Sequence, residues 1–151
     1  MGEGLLLPVD AHPEFSHPHA LISIAELSAW TFSDTERTAL AAVLVKICSS
    51  ESPALRRAAV TALGRMQPEN KAAAATAILE SLRGLQSERM MEHAATYALI
   101  QLADRETTTV ALSDPNPQIR RAALIALDQM DGGNLQREQV IPLLDTDDST
   151  L

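Results

Sequence analysis

One pattern occurs three times in this chain: Leu55-Arg-Arg-Ala-Ala-Val-Thr-Ala-Leu-Gly-Arg-Met66, Met91-Glu-His-Ala-Ala-Thr-Tyr-Ala-Leu-Ile-Gln-Leu102 and Ile119-Arg-Arg-Ala-Ala-Leu-Ile-Ala-Leu-Asp-Gln-Met130. Each copy has an apolar residue, two polar residues, an Ala-Ala pair, an Ala-Leu step and a closing Met or Leu. The copies start 36 and then 28 residues apart, within the range of stacked helical repeats. Within a copy, the apolar positions recur at the three- and four-residue spacing of a helix face. The polar residues between them must then point away from the core.

The core this chain can build is small and aliphatic. One Trp, one Tyr and two Phe in 151 residues leave the interior to Ala, Leu, Ile and Val, which suits helices packed closely along Ala-lined faces. No segment combines period-2 alternation with β-branched or aromatic enrichment, so the predicted class is all-α.

A formal charge of −8 argues against nonspecific nucleic-acid binding, which needs a surplus of Lys and Arg on one face. The charge is uneven. Residues 1–34 carry five acids and no Lys or Arg, whereas residues 35–103 carry eight basic and six acidic residues, and residues 104–151 four basic and nine acidic. A single cysteine, Cys48, excludes an internal disulfide framework and disfavours a Cys-based zinc site without fixing the compartment. Leu5-Leu6-Leu7 is too short and lacks the basic flank of a signal peptide. No charge-free apolar stretch approaches a membrane span. The expectation is a soluble segment with no membrane insertion.

Residues 1–19 hold Gly2, Gly4, Pro8, Pro13 and Pro18, which predicts an irregular arm. The helical domain is expected over 20–151. Leu21, Ile24, Ala25 and Leu27 predict a short first helix ending near Trp30, with Ser23 and Glu26 at capping-box spacing. Ser33 and Glu36 have the same spacing before Leu40, Val43, Leu44 and Ile47. Ser52-Pro53 and Asn116-Pro117 each place an N-cap before a proline at the first helical position, where the missing N–H costs nothing. Partner helices are expected at about 69–83, 105–112 and 136–144, the second barely two turns, which accounts for the shorter spacing.

These residues resemble HEAT repeats. The resemblance rests on Ser113-Asp-Pro-Asn-Pro-Gln-Ile-Arg-Arg-Ala-Ala-Leu-Ile-Ala-Leu127, similar to the family's Asp-Pro turn and apolar-Arg start of an Ala-rich second helix, and on Ser50 to Leu63. In the middle copy Glu92 replaces the helix-start Arg and no Asp-Pro turn precedes it. The resemblance covers about residues 35–151. It implies a right-handed superhelix, an armadillo-like α-solenoid of about three to four helix pairs, with the pattern helices on the concave side. It also implies a non-catalytic scaffold or protein-interaction segment of a larger protein, its partner a protein, a peptide or adjacent domains of the same parent chain.

A narrower resemblance links Leu99 to Leu144 with HEAT segments of large bacterial membrane-bound dehydrogenases, which join a propeller, HEAT repeats and a c-type haem domain. That implies the alternative of a structural portion of a haem-containing redox enzyme. This chain has no Cys-x-x-Cys-His, so any haem would belong to the remainder, and no cofactor is expected on the segment itself. A lyase-type HEAT protein is a third alternative, without the Cys/His/Asp cluster such chemistry needs. Asp145 to Leu151 reads as the opening of a further pattern helix. The helix at 136–144 is therefore expected to lack a cover, to fray or to self-associate through Val140, Ile141, Leu143 and Leu144.

Stacking the copies aligns Arg57, His93 and Arg121 in one outward column and Thr61, Tyr97 and Ile125 in the next. This strip suits an acidic or carboxylate-bearing peptide, with Tyr97 as a rigid anchor. The competing assignment is an ordinary solvated face, with Arg56 and Arg120 bonding neighbouring turns. His12, His17 and His19 beside Glu14 suggest a metal only weakly, since His-x-His across Pro18 is no diagnostic spacing. Cys48 has no positioned base. Asp147-Asp148 suits a turn before a helix, and Gly132-Gly133 is a turn without the strand and glycine spacing of a phosphate loop.

Overall fold

The computed structural model describes residues 17–83 and 88–144, and among them every regular element is helical. In chain order these are α1 (Pro18–Thr31), α2 (Asp34–Ile47), α3 (Pro53–Met66), α4 (Lys71–Glu80), α5 (Arg89–Leu102), α6 (Arg105–Val110), a 3-10 turn (Ala111–Ser113), α7 (Pro117–Gln129) and α8 (Arg137–Leu144). No helix among the described residues is long and apolar enough to cross a membrane.

Local chemistry starts these helices where the sequence places its caps. Ser33 forms the full capping box of α2: its N–H donates to Glu36 Oε2 at 2.8 Å and its Oγ accepts from the Glu36 N–H at 3.4 Å. Ser52 accepts from the Leu55 N–H, Asn70 from Ala73 and Asn116 from Gln118, with Pro53 and Pro117 opening their helices. Gln67 and Ala103 end α3 and α5 in the left-handed region, at φ 50° and 51°. Gln67 offsets its strain through Nε2, which donates to the Gly64 carbonyl at 2.9 Å and to the Gln101 carbonyl at 2.6 Å.

Two sequence expectations shift at the N-terminal end. The first helix opens at Pro18 with His17 as N-cap, two residues inside the expected arm 1–19. Ser23 and Glu26 therefore lie within α1 and form no capping box; Glu26 instead pairs with Arg65 of α3. The partner helices are also shorter than expected, because Ser81 closes α4 and a 3-10 turn completes α6.

Neighbour relations follow two rows. α1 packs on α3, α3 on α5 and α5 on α7, while α2 packs on α4 and α4 on α6. Hairpin neighbours α2–α3, α4–α5 and α6–α7 join the rows. Between them lies the core, and the pattern predicts it closely. Ala58, Ala59, Ala62, Leu63 and Met66 of α3 are buried, as are Met91, Ala95, Ala98, Leu99 and Leu102 of α5 and Ile119, Ala122, Ala123, Ala126, Leu127 and Met130 of α7. Leu55 and Ala94 are half-buried.

The row also reveals a copy of the pattern that is hard to see in the sequence. Leu21, Ile24, Ala25 and Ser28 of α1 fall 34 residues before Leu55, Ala58, Ala59 and Ala62. Leu21, Ala25 and Ser28 are buried. Serine takes an alanine position there because its hydroxyl donates to the Ala25 carbonyl at 2.7 Å, so no polar atom is stranded.

At the other end, α8 contains Pro142; Leu143 is buried, Val140 half-buried and Ile141 exposed. The expected start of a further repeat at Asp145 to Leu151, with Asp147-Asp148, lies outside the described residues. So do His12 and Glu14; of the N-terminal histidine group only His17 and His19, both exposed, are described.

Candidate functional site

The outward columns face solvent as their spacing requires. Arg57, His93, Tyr97 and Arg121 are exposed, and Thr61 and Ile125 are half-buried. The packing of α3, α5 and α7 then divides the six residues. His93, Tyr97, Arg121 and Ile125 converge on a groove of about 440 Å³ between α5 and α7. Arg57 and Thr61 lie outside it, and the Thr61 hydroxyl is used within α3, donating to the Arg57 carbonyl at 2.9 Å.

A glycine accounts for this division. A Cβ on Gly64 would fall 2.8 Å from Ala98 Cα and 2.9 Å from Ala98 Cβ, so only hydrogen allows α3 and α5 to approach this closely. Ile100 occupies the register of Gly64 in the next copy and lines the groove. The α5–α7 seam thus carries a branched side chain at the register where glycine lets α5 meet α3.

The groove has a charged end and an apolar floor. Arg89 and Glu92 from α5 and Arg121 from α7 supply the charge, with the His93 imidazole beside them; Ile100, Ala122 and Ile125 supply the floor, with Tyr97 as a half-exposed wall. Glu92, the residue that interrupts the Arg-Arg pattern in the middle copy, reaches across to Arg121 at 3.9 Å. That distance permits an ion pair but not a hydrogen bond. The Arg121 side chain stays 49% exposed while that of Glu92 is 21% exposed.

Arg89, Glu92, Thr96, Ile100, Gln118, Ala122 and Gln129 also line this groove, outside the two columns. They sit one helical step to either side of the columns, so the spacing that selects His93 and Tyr97 reaches them only once α7 is known to pack on α5. On the other row, a groove of about 450 Å³ lies between α2 and α4, and the repeat spacing does not predict it. Its signal is present in Ala41-Ala42 facing Ala73-Ala74, since alanines on both walls leave the space between helices unfilled.

The remaining candidates behave as ordinary structure. Cys48 is buried, and desolvation pushes its thiol up to about 12, the opposite of an activated nucleophile. Arg120 donates to the Asp114 and Pro115 carbonyls at 2.9 and 3.0 Å, the turn-bonding role expected of it. Gly132 adopts a positive φ in the turn after α7, and Arg105 donates to the Gly133 carbonyl at 2.9 Å. No group of three His, Cys, Asp or Glu suited to a metal occurs among the described residues. Comparison of the chain with protein-family models, with curated proteins and with solved structures gives no match.

Proposed function

We propose that this chain is a HEAT-type repeat unit whose helix pairs stack as a right-handed superhelix, and that it works without catalysis, as a surface for a protein or peptide partner. One observation carries the reading. Equivalent positions of successive pattern helices, the His93–Arg121 and Tyr97–Ile125 columns, meet on one groove that joins cationic side chains to an apolar floor. Repeat arrays commonly recognise partners this way, through side chains presented at fixed intervals on a row of like helices. A half-exposed tyrosine is well suited as an anchor, because it offers a large contact area at little conformational cost.

The α1/α3/α5/α7 and α2/α4/α6 rows support the repeat assignment, since each unit then buries its apolar face against its neighbours. Display selection of random peptides tests the function. Sequences enriched on the wild-type chain should be lost on an Arg121→Glu, Ile125→Asp double variant that retains the wild-type helical circular dichroism. Equal retention on both proteins would remove the groove from the interaction reading.

A further inference from the structure

We propose that the α5–α7 groove takes an extended peptide carrying an acidic residue two positions from an apolar one, and that Glu92 is a built-in competitor setting its affinity. This rests on the interaction reading above and names the ligand for the same site. On a chain of net charge −8, an acidic segment is repelled from the surface at large, yet the groove sets two arginines, Arg89 and Arg121, against one carboxylate, that of Glu92.

Arg121 is the receiving group. At 3.9 Å from Glu92 and half exposed, its guanidinium keeps its planar donor edge for a second carboxylate, which can accept two hydrogen bonds in the fork geometry. The loose contact it gives up is worth little, because exposed pairs at such distances contribute weakly. Ile125 stands one turn beyond Arg121 on α7, and side chains four apart on a helix are separated by roughly 6 Å. Alternate residues of an extended peptide are spaced by roughly 6.7 Å. A carboxylate on Arg121 thus places the apolar side chain two positions along over Ile125, against the Tyr97 ring.

Tyr97 is the one tyrosine in the chain, so full-length protein grown with 3-fluorotyrosine gives a single fluorine signal from the groove wall. The probes are Ac-Gly-Glu-Ser-Leu-Gly-NH2 and its Gln and Lys counterparts at the Glu position. The Glu peptide should move the signal saturably, and the Gln and Lys peptides should bind more weakly. Glu92→Gln should tighten the Glu peptide about threefold and Arg121→Gln should weaken it by about the same factor or more. Both replaced side chains are solvent-accessible, and matching thermal melts establish that the variants fold.

Saturable binding that ignores the Glu, Gln or Lys identity overturns acid recognition while leaving the groove an interaction site. A Glu92→Gln variant that binds no tighter overturns the competitor role. The absence of any shift with the Glu peptide overturns the ligand assignment; the interaction reading itself falls separately, when display selection yields no groove-dependent sequence.

Discussion

Arg83 donates two hydrogen bonds to Asp114, Nη1 to Oδ1 at 3.1 Å and Nη2 to Oδ2 at 2.6 Å, and so ties the end of α4 to the turn that opens α7. The same carboxylate accepts from the Asn116 N–H at 2.8 Å, one residue before the proline that starts the helix. Partial burial pushes the Asp114 carboxyl up, but the Arg83 and Asn116 hydrogen bonds and the nearby charges of Arg83 and Arg120 outweigh it and hold the group below the usual range.

A depressed carboxylate stabilises the fold above its unfolded pKa and loses that contribution as pH falls through the lower, folded value. Asp114→Asn should therefore lower Tm at pH 7. The gap to wild type should stay constant down to about pH 4, where an unfolded aspartate begins to bind its proton, and close on further acidification. Scanning calorimetry from neutral pH into the acid range checks this, and a gap that widens in acid would contradict the assigned sign.

Gly64 supplies a test of the close α3–α5 approach. Its added Cβ would meet backbone as well as side chain, at 2.8 Å from Ala98 Cα and 2.9 Å from Gln101 Oε1. Gly64→Ala should cost about 1–3 kcal/mol in urea unfolding, although alanine is the better helix former by about 1 kcal/mol. A stabilised variant would mean that the two helices do not touch there.

The contrast between these two sites shows what could be read from the chain alone. The buried stripe was legible because Ala-Ala and Ala-Leu recur at helical spacing, and the outward columns followed by subtraction. The copy in α1 was obscured where Ser28 replaces alanine, a substitution permitted by a hydrogen bond to Ala25 that sequence spacing does not reveal. The Glu92–Arg121 and Arg83–Asp114 pairs were hidden for a related reason. Each joins different parts of the fold, so the partners depend on which helix lies beside which, and spacing along one helix does not carry that information. In the turn before α7, Arg120 donates to the Asp114 and Pro115 carbonyls, while Arg83 reaches the Asp114 carboxylate from the end of α4.

Cys48 makes a prediction opposite in sign to that of Asp114. Burial raises its thiol to about 12, so the unfolded state releases the proton first and stability should fall as pH rises above about 8.5. The folded protein at pH 8 should react with iodoacetamide far more slowly than a free thiol, because the buried group is held as the unreactive thiol. Full reactivity should return in denaturant. Mass spectrometry of timed aliquots distinguishes this from a surface cysteine, which would be labelled without unfolding.

The division of each pattern helix into a buried and an outward side can be tested with one substitution in each of α3, α5 and α7. Ala59 and Ala123 are fully buried, whereas Tyr97 is 52% exposed. Adding three carbons at Ala59→Leu or Ala123→Leu leaves nowhere for them to go except against the neighbouring helix, at a cost of about 1–3 kcal/mol. Removing the Tyr97 ring empties a groove wall already in contact with water, and Tyr97→Ala should stay within about 1 kcal/mol of wild type, close to an ordinary surface substitution. Urea unfolding at neutral pH measures all three on one scale. Similar losses at Ala59 and Tyr97 would place Tyr97 in the core, and the columns that define the groove would then lose their basis.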